Sequence, residues 1–207
     1  MKKIGILFCL LVLVVAGSAN AAFINGQGSP TDSAYLSGGT VIDFEDVGVV
    51  NVTSLTRSGV TFTSDSMIEV DSDYAGNYNT RGRYHITNHG DAPQSFTFTF
   101  SGTTDAFAFL FGASDDMWTL NAYSGSTMLE SYNLTPTRSS NAGDYFGIAA
   151  SGITHATLFN AQGTGDYVFI DNFTFGESGG GNAVPEPATM LLFGIGLLGL
   201  ARTNRKK

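Results

Sequence analysis

The strongest constraint on the fold is the strict alternation of phenylalanine and threonine in the segment SFTFTFSG, residues 95–102. Successive side chains of a β-strand point to opposite faces, so the phenylalanines would share one face and the threonines the other. The alternation therefore predicts a half-buried strand, with Phe96, Phe98 and Phe100 facing a core and Thr97 and Thr99 facing away from it.

Further short apolar segments separated by turn residues also have the character of strands. They are TVIDFE (40–45), GVTFTS (59–64), DAFAFLFG (105–112), MWTLNAYSGSTMLESYNL (117–134), GITHATLFN (152–160) and DYVFIDNFTFG (166–176). The longest of these six segments, 117–134, is interpreted as a hairpin that turns at Ser124 and Gly125. No stretch of twelve residues has convincing helical periodicity, and 16 phenylalanines are enough to fill a two-sheet core. We therefore expect an all-β, antiparallel β-sandwich over residues 40–176.

The N-terminus has the pattern of a secretory signal peptide, residues 1–21. Lys2 and Lys3 precede an apolar core at 4–15, and Ala19-Asn20-Ala21 fits an A-x-A cleavage site. We place cleavage after Ala21, with Ala19 or Ala22 as alternatives; an uncleaved N-terminal anchor is the other interpretation. Cys9 lies in the segment that would be removed, so the mature chain has no thiol chemistry. Residues 22–39, rich in Gly, Ser and Asn, are expected to form a flexible lead-in.

The C-terminus consists of a Gly-rich linker (177–184), the tripeptide Pro185-Glu186-Pro187 and an apolar run at 188–201. At about 1.5 Å per residue, a helix of this run would be roughly 21 Å long, shorter than the roughly 30 Å hydrocarbon core of a bilayer. Four cationic residues follow and would hold that end in the cytoplasm: Arg202, Arg205, Lys206 and Lys207. We expect a short C-terminal transmembrane helix that acts as a weak anchor.

This order of parts resembles the PEP-CTERM sorting signal of Gram-negative bacteria, over roughly residues 183–207. The sorting motif itself is Val184, Pro185, Glu186 and Pro187. The resemblance implies that the Sec machinery exports the chain, that signal peptidase removes the signal peptide, and that an exosortase, an inner-membrane protease or transpeptidase, then cuts near this motif. The protein would be anchored briefly in the inner membrane and then reach the cell surface or an exopolysaccharide matrix. A plain tail anchor after a proline-containing stalk is the alternative.

The charge of the exported part limits its partners. Residues 22–184 hold four arginines, no lysine and 17 acidic residues, a net charge of about −13. Such a surface repels nucleic acid and anionic lipid, and it attracts divalent cations. We therefore expect no nucleic-acid partner.

The segments VIDFE, GVTF and FIDNFTF resemble those of bacterial jelly-roll carbohydrate-binding modules and of sandwich domains found ahead of PEP-CTERM tails. The resemblance implies a jelly-roll-like, non-catalytic sandwich that binds glycans and holds a structural Ca²⁺ through Asp43, Glu45 and Asp171. Asp171 also stands out by itself, because it shares one strand face with phenylalanines and needs a partner there. Alternatively, a bulge turns Asp171 outward, or it caps a neighbouring strand.

Two segments hold candidate glycan-binding residues. In SDDMW (114–118), Asp115 and Asp116 would bind hydroxyl groups and Trp118 would stack on a sugar; alternatively, Trp118 packs in the core and the acids are solvated. The long polar stretch 71–90 supplies Tyr78, Arg81 and Tyr84, and it is otherwise simply an exposed loop.

Catalysis has little support from the sequence. The H-E-x-x-H pattern of metalloproteases is missing. Carboxylate pairs are compatible with a glycosidase, because their separation in space is not visible in a sequence. We expect a non-enzymatic, exosortase-processed surface or matrix protein that binds glycan or is a structural component of a biofilm exopolysaccharide. The alternatives are a structural surface protein without a ligand and a weak extracellular hydrolase.

Overall fold

The computed structural model describes residues 21–88, 95–160, 162–163 and 165–176. The predicted signal helix, Gly-rich linker, sorting motif and C-terminal helix lie outside the described residues. Within the described ranges, no helix is long and apolar enough to cross a membrane.

The described chain forms ten strands and one short 3₁₀-helix at Pro30–Asp32. The strands are β1 (Ala22–Gln27), β2 (Thr40–Ile42), β3 (Val50–Arg57), β4 (Val60–Asp71), β5 (His85–Asn88), β6 (Ser95–Gly112), β7 (Trp118–Ser124), β8 (Thr127–Leu134), β9 (Asp144–Asn160) and β10 (Phe169–Gly176). Neighbouring strands pair in the order β2-β10-β5-β4-β6-β9-β7-β8, with β1 on β9 and β3 on β4. The strand pairings described are antiparallel, so the prediction of an all-β antiparallel fold is confirmed.

The longest strand, β6, pairs with β9 in both of its halves but changes its other partner from β4 to β10 halfway along. In its first half, residues 96–100 pair with β4 and residues 95–99 pair with 155–159 of β9. In its second half, residues 106–112 pair with β10 and residues 106–110 pair with 145–149 of β9. Phe98 and Phe109 are eleven positions apart on β6, which would separate them by about 36 Å in a straight strand. Their ring centroids are only 5.5 Å apart. Strand β6 therefore bends back on itself, and its two halves face each other across the core.

Aromatic side chains fill the space between these halves. Phe173 of β10 is fully buried and lies at the centre, with its ring 5.0 Å from Phe98, 5.1 Å from Phe62 and 5.9 Å from Phe109. Phe96 and Phe98 are fully buried, and Phe100 is 6% exposed. The alternation seen in the sequence thus places three phenylalanines of one strand in a common core.

The structure corrects the prediction of a flexible lead-in at 22–39. Strand β1 pairs with β9 from Ala22 opposite Ala149 to Gln27 opposite Asp144, and Ile24 is buried. The glycines of this segment indicated flexibility, but Gly26 serves close packing instead, because a Cβ atom there would overlap the side chain of Tyr145. The domain therefore begins at β1 rather than at residue 40.

Candidate functional site

Four loop and strand ends surround a cavity of about 610 Å³. They are the end of β4 with the loop after it, the β6–β7 turn, the segment after β8 and the start of β10. The lining residues are Asp71, Asp73, Tyr74, Tyr78, Ala113, Asp115, Arg138, Ser139, Tyr167 and Phe169. We call this cavity the loop cleft.

Aromatic rings form one side of the loop cleft. Phe169, at the start of β10, is 2% exposed and serves as the floor. The rings of Tyr74, Tyr78 and Tyr167 lie 5.8, 5.9 and 5.8 Å from it, centroid to centroid. Tyr74 is 58% exposed and Tyr167 is 39% exposed. Two tyrosine rings are thus accessible to a ligand while a buried phenylalanine supports them.

The polar lining of the loop cleft is mainly acidic. Asp71, Asp73 and Asp115 contribute carboxylates, and Arg138 contributes a guanidinium group. Asp73, Asp115 and Arg138 are exposed, and Asp71 is half-buried. Carboxylates accept hydrogen bonds and the guanidinium donates them, so the cleft offers both kinds of partner to a hydroxylated ligand.

Several lining residues have an uncommon backbone conformation. Tyr74, Tyr78, Ala113 and Arg138 have φ angles of 62°, 50°, 64° and 46°, in the left-handed region that favours glycine. Such conformations cost free energy and persist where the surrounding contacts hold them. Here the strained positions come from three different loops that meet at one cleft.

Strand β6 and a buried asparagine hold the loop that carries Tyr74 and Tyr78. Asn79 is 2% exposed and donates to the carbonyl of Phe111 (2.9 Å) and to Asp144 Oδ2 (3.1 Å). The side-chain Oδ1 of Asn79 accepts the backbone N–H of Gly143 (2.8 Å). The carbonyl of Tyr78 lies so close over Gly112 that a Cβ atom at Gly112 would overlap it. The loop backbone is therefore packed directly on the end of β6.

Two predicted calcium ligands hold the other end of this loop. Asp171 Oδ2 accepts the backbone N–H of Arg81 at 2.6 Å. Glu45 Oε1 accepts the backbone N–H groups of Arg83 (2.6 Å) and Tyr84 (2.9 Å). The loop is thus fixed at its C-terminal end by carboxylates from β10 and from the segment after β2.

Asp171 is buried, with 1% of its surface exposed, and burial is the main cause that raises its pKa to about 8. The charges of Glu45 and Asp43 raise this pKa further, whereas the N–H donors of Arg81 and Asn172 lower it. The strand pairing shifts register directly after Asp171. This irregularity does not turn the side chain outward, because the carboxyl group is buried and accepts the backbone N–H groups of Arg81 and Asn172.

The three acids do not form a calcium ligand set in the described ranges, where no three Asp, Glu, His or Cys side chains are grouped to hold a metal ion. Oxygens of Glu45 and Asp171 accept the loop N–H groups, and Asp43 Oδ1 accepts the N–H of Glu45 (3.2 Å). Calcium binding stays a prediction, and it would require some of these N–H contacts to be exchanged for the cation.

The predicted sugar-stacking role of Trp118 is wrong. Its side chain is fully buried, 6.0 Å from the ring of Phe111, and Nε1 donates to Asp166 Oδ2 at 2.8 Å. Asp166 also accepts the backbone N–H groups of Asp115 (3.0 Å) and Asp116 (3.2 Å). Trp118 therefore packs in the core, as the alternative interpretation held, because a partner 48 positions later satisfies its indole N–H.

The other predicted glycan-binding residues divide into two groups. Tyr78 and Asp115 line the loop cleft, whereas Asp116, Arg81 and Tyr84 are not part of its lining. Asp116 Oδ2 accepts a hydrogen bond from Asn160 (3.2 Å), and the Arg83 guanidinium lies over the ring of Tyr84 at 5.0 Å.

Several lining residues were not predicted as site residues. Asp71, Asp73 and Tyr74 belong to the polar stretch that the sequence did single out, but nothing there separates them from their neighbours. Arg138, Ser139, Tyr167 and Phe169 join them only through the fold. No local pattern marks these four.

A buried histidine lies under the cleft floor. His85 is fully buried, its ring centroid is 4.5 Å from that of Phe169, and neither ring nitrogen has a hydrogen-bond partner among the described residues. Burial lowers the pKa of His85 from 6.5 to about 4, although Asp71, Asp73 and Glu45 act in the opposite direction. His85 is therefore uncharged at neutral pH.

One known protein family matches the C-terminal segment of the chain. The family described as the PEP-CTERM protein-sorting motif matches residues 183–206. The chain thus carries a PEP-CTERM sorting motif, which implies export, processing by an exosortase and sorting to the cell surface. No curated protein matches this chain.

Solved structures similar to the domain include both binding modules and an enzyme. The K2 cleaved adhesin domain of Lys-gingipain is 12% identical, with a TM-score of 0.46, and the match covers 67% of this chain and 98% of that one. TmCBM61 in complex with β-1,4-galactotriose is 16% identical, with a TM-score of 0.36 and coverage of 69% and 97%. The catalytic domain of a GH87 α-1,3-glucanase is 15% identical, with a TM-score of 0.39 and coverage of 79% and 31%.

Proposed function

We propose that this chain is an exported, exosortase-processed surface or matrix protein whose jelly-roll-like domain binds glycan in the loop cleft without cleaving it. The observation that carries the proposal is the pair of accessible rings, Tyr74 and Tyr167, supported by buried Phe169 beside three carboxylates. Rings with an apolar face and a polar edge suit ligands that are themselves apolar on one face and hydroxylated at the edge. The natural ligand would be the exopolysaccharide of the producing cell.

Binding is favoured over hydrolysis by the position of the carboxyl group whose pKa is raised. A glycosidase needs a carboxylic acid that remains protonated beside the scissile bond. Asp171 has a raised pKa, but it is 1% exposed, accepts the N–H of Arg81 and is not part of the cleft lining. This group therefore holds the loop and does not face a substrate.

The test uses retention of the exported protein on a gel carrying the cell's own polysaccharide. We expect Tyr74→Ala and Tyr167→Ala each to weaken retention, by up to about tenfold for the loss of one stacked ring. Tyr35→Ala is the matched control, because Tyr35 is 40% exposed and is not part of the cleft lining.

The outcomes separate the candidate functions. Retention that the double variant Tyr74→Ala, Tyr167→Ala does not reduce would exclude the loop cleft as the site. If the unaltered protein is not retained at all, the purely structural alternative is favoured. Release of reducing sugar from the gel would instead indicate a hydrolase.

A further inference from the structure

The loop cleft has the chemistry of a site for an ammonium group, and this step rests on the proposed glycan-binding function. Its lining holds three carboxylates, from Asp71, Asp73 and Asp115, against one guanidinium group, from Arg138. A fourth acid is adjacent, because Tyr167 Oη donates to Glu69 Oε2 at 3.4 Å. The cleft belongs to a domain that is already strongly acidic, so the local field favours a cation over a neutral or an anionic ligand.

The aromatic rings give a second, independent preference in the same direction. Cations are attracted to the faces of tyrosine and phenylalanine rings, and cages of such rings recognise alkylated ammonium groups. Tyr74 and Tyr78 meet at 81°, with centroids 5.5 Å apart, and Tyr167 meets Phe169 at 82°. These edge-to-face pairs place rings of different orientation around one cavity. An ammonium group in the cleft would therefore meet ring faces as well as carboxylates.

The buried histidine beneath Phe169, His85, does not repel a cation in the loop cleft. His85 packs against Phe169 with both ring nitrogens unpartnered, and it is fully buried. Because its pKa is lowered to about 4, it is uncharged at neutral pH and adds no positive charge under the cleft. Arg138, at the exposed rim, is then the positive group in the lining.

We propose that the loop cleft recognises the protonated amine of an amino sugar, so that it binds glycans with free amines in preference to their N-acetylated or uronic acid counterparts. The sugar ring would stack on an exposed tyrosine while its ammonium group lies among the carboxylates. This sets a requirement on the reaction that supplies the ligand. If the polymer is made from N-acetylated sugars, a deacetylation must precede binding.

The experiment compares two oligosaccharides of equal length, a glucosamine hexamer and an N-acetylglucosamine hexamer, by titration calorimetry with the exported protein at pH 6 and low salt. We expect the free-amine hexamer to bind at least about tenfold more tightly than the acetylated one. Asp73→Asn should reduce that preference about fivefold, and Tyr74→Ala should weaken binding of the free-amine hexamer without a change of charge.

Asp46→Asn is the matched control for non-specific attraction. Asp46 has a side chain that is 73% exposed, is paired with Arg57 at 3.3 Å and lies outside the cleft lining, so the same charge is removed elsewhere. Equal losses in Asp46→Asn and Asp73→Asn would overturn the proposal, since they would indicate attraction to the whole acidic surface.

Two other results would contradict the preference for free amines, and they differ in what they imply for the proposed glycan-binding function. Equal binding of both hexamers, lost in Tyr74→Ala, leaves the proposed glycan cleft intact. If neither hexamer binds while Tyr74→Ala still reduces retention on the cell's own polysaccharide, the cleft has another specificity. Absence of binding in all these assays contradicts the proposed function as well.

Discussion

The backbone N–H of Arg81 donates to Asp171 Oδ2 at 2.6 Å and ties the last strand of the domain to the loop that carries two tyrosines of the cleft. Asp171 is a buried acid on a strand of phenylalanines, and its second oxygen accepts the N–H of Asn172 at 2.6 Å. Both hydrogen bonds favour the ionised carboxylate, whereas burial and the neighbouring acids favour the protonated form. The loop attachment is therefore made by a group that titrates near neutral pH.

This titration predicts an unusual pH dependence of stability, measured in chelator. The pKa of Asp171 is raised from 3.8 to about 8, so between these values the native state holds a proton that the unfolded state has released. The stabilisation that this proton gives the native state is fully present below pH 3.8. It decreases by about 1.4 kcal/mol per pH unit as the pH rises from 3.8, and it is lost once the pH has risen through 8.

His85 has the opposite effect over part of this range. Its pKa is lowered from 6.5 to about 4, so its contribution is present above pH 6.5 and is lost as the pH falls through 4. From these two groups, we expect the free energy of unfolding to be nearly constant between pH 4 and 6.5 and to fall between 6.5 and 8.

Two substitutions separate the opposing contributions, with urea unfolding at several pH values as the measurement. His85→Phe should reveal a continuous fall from pH 4 to 8, and Asp171→Asn should leave a rise from 4 to 6.5 followed by a plateau. Identical pH profiles for the unaltered protein and both variants would show that neither group titrates as the structure indicates.

A single methyl group at the end of β6 should disrupt the cleft. Gly112→Ala places a Cβ atom against the carbonyl of Tyr78, so either the loop or the strand must move. We expect a loss of roughly 1–3 kcal/mol in the free energy of unfolding, together with weaker glycan retention. Gly102→Ala is the control on the same strand, since a Cβ atom there would have no neighbour within 4 Å and should change neither quantity much. Equal behaviour of the two variants would contradict the packing described here.

The part of the fold that the sequence predicts is the part encoded by local alternation. Phe96, Phe98 and Phe100 are inward-facing because every second residue of a strand points the same way, and this needs no knowledge of the partner strand. Trp118 is different, because its burial depends on Asp166, which satisfies the indole N–H from 48 positions away. Sequence patterns alone do not distinguish that partner from the other acids.

The sequence predicts only some of the residues that line the loop cleft, because the others become neighbours only through contacts between distant segments. Tyr78 and Asp115 lie in segments that look polar and loop-like, so both were identified as candidates. Arg138 and Tyr167 become their neighbours through strand pairings that bring four distant chain segments together. Their position is a property of the topology rather than of any motif.

The N-terminal strand should contribute measurably to stability. Ile24 of β1 and Leu36 pack with Ala106, Ala108 and Leu110, and both side chains are buried. A fragment of residues 40–176 loses them, at a cost of about 1.5–3 kcal/mol for each buried side chain. We therefore expect 22–176 to unfold at a clearly higher urea concentration than 40–176, and Ile24→Ala to account for part of the difference. Equal urea midpoints for the two fragments would contradict this packing and favour the flexible lead-in that the sequence predicted.

Calcium binding at Asp43, Glu45 and Asp171 is tested by melting temperature in millimolar Ca²⁺ and in chelator. A bound cation would favour ionised Asp171 and stabilise the native state, by about 2.7 kcal/mol at 100 times the dissociation constant. If Ca²⁺ binds there, the gain is lost in Asp171→Asn. Sodium at matched ionic strength is the control, because screening also relieves repulsion in an acidic domain. A gain that sodium reproduces, or that survives in Asp171→Asn, excludes this site.

The N-terminal signal peptide and the C-terminal sorting motif together predict that both ends of the chain are removed. The position of β1 can be compared with the predicted N-terminal cleavage site. Cleavage after Ala21 leaves Ala22, the first residue of β1, opposite Ala149 of β9, so the whole strand is retained. Mass spectrometry of the exported protein should find a start at or near Ala22 and no peptide from the basic end that includes Arg205 and Lys206, which lies within the match to the sorting motif. Replacing Pro185 and Pro187 by Ala should keep the protein in the inner membrane, with Pro136→Ala, in the domain, as a matched proline control. Release of the sorting-motif variant at the rate of the unaltered protein would mean that the tail does not direct sorting.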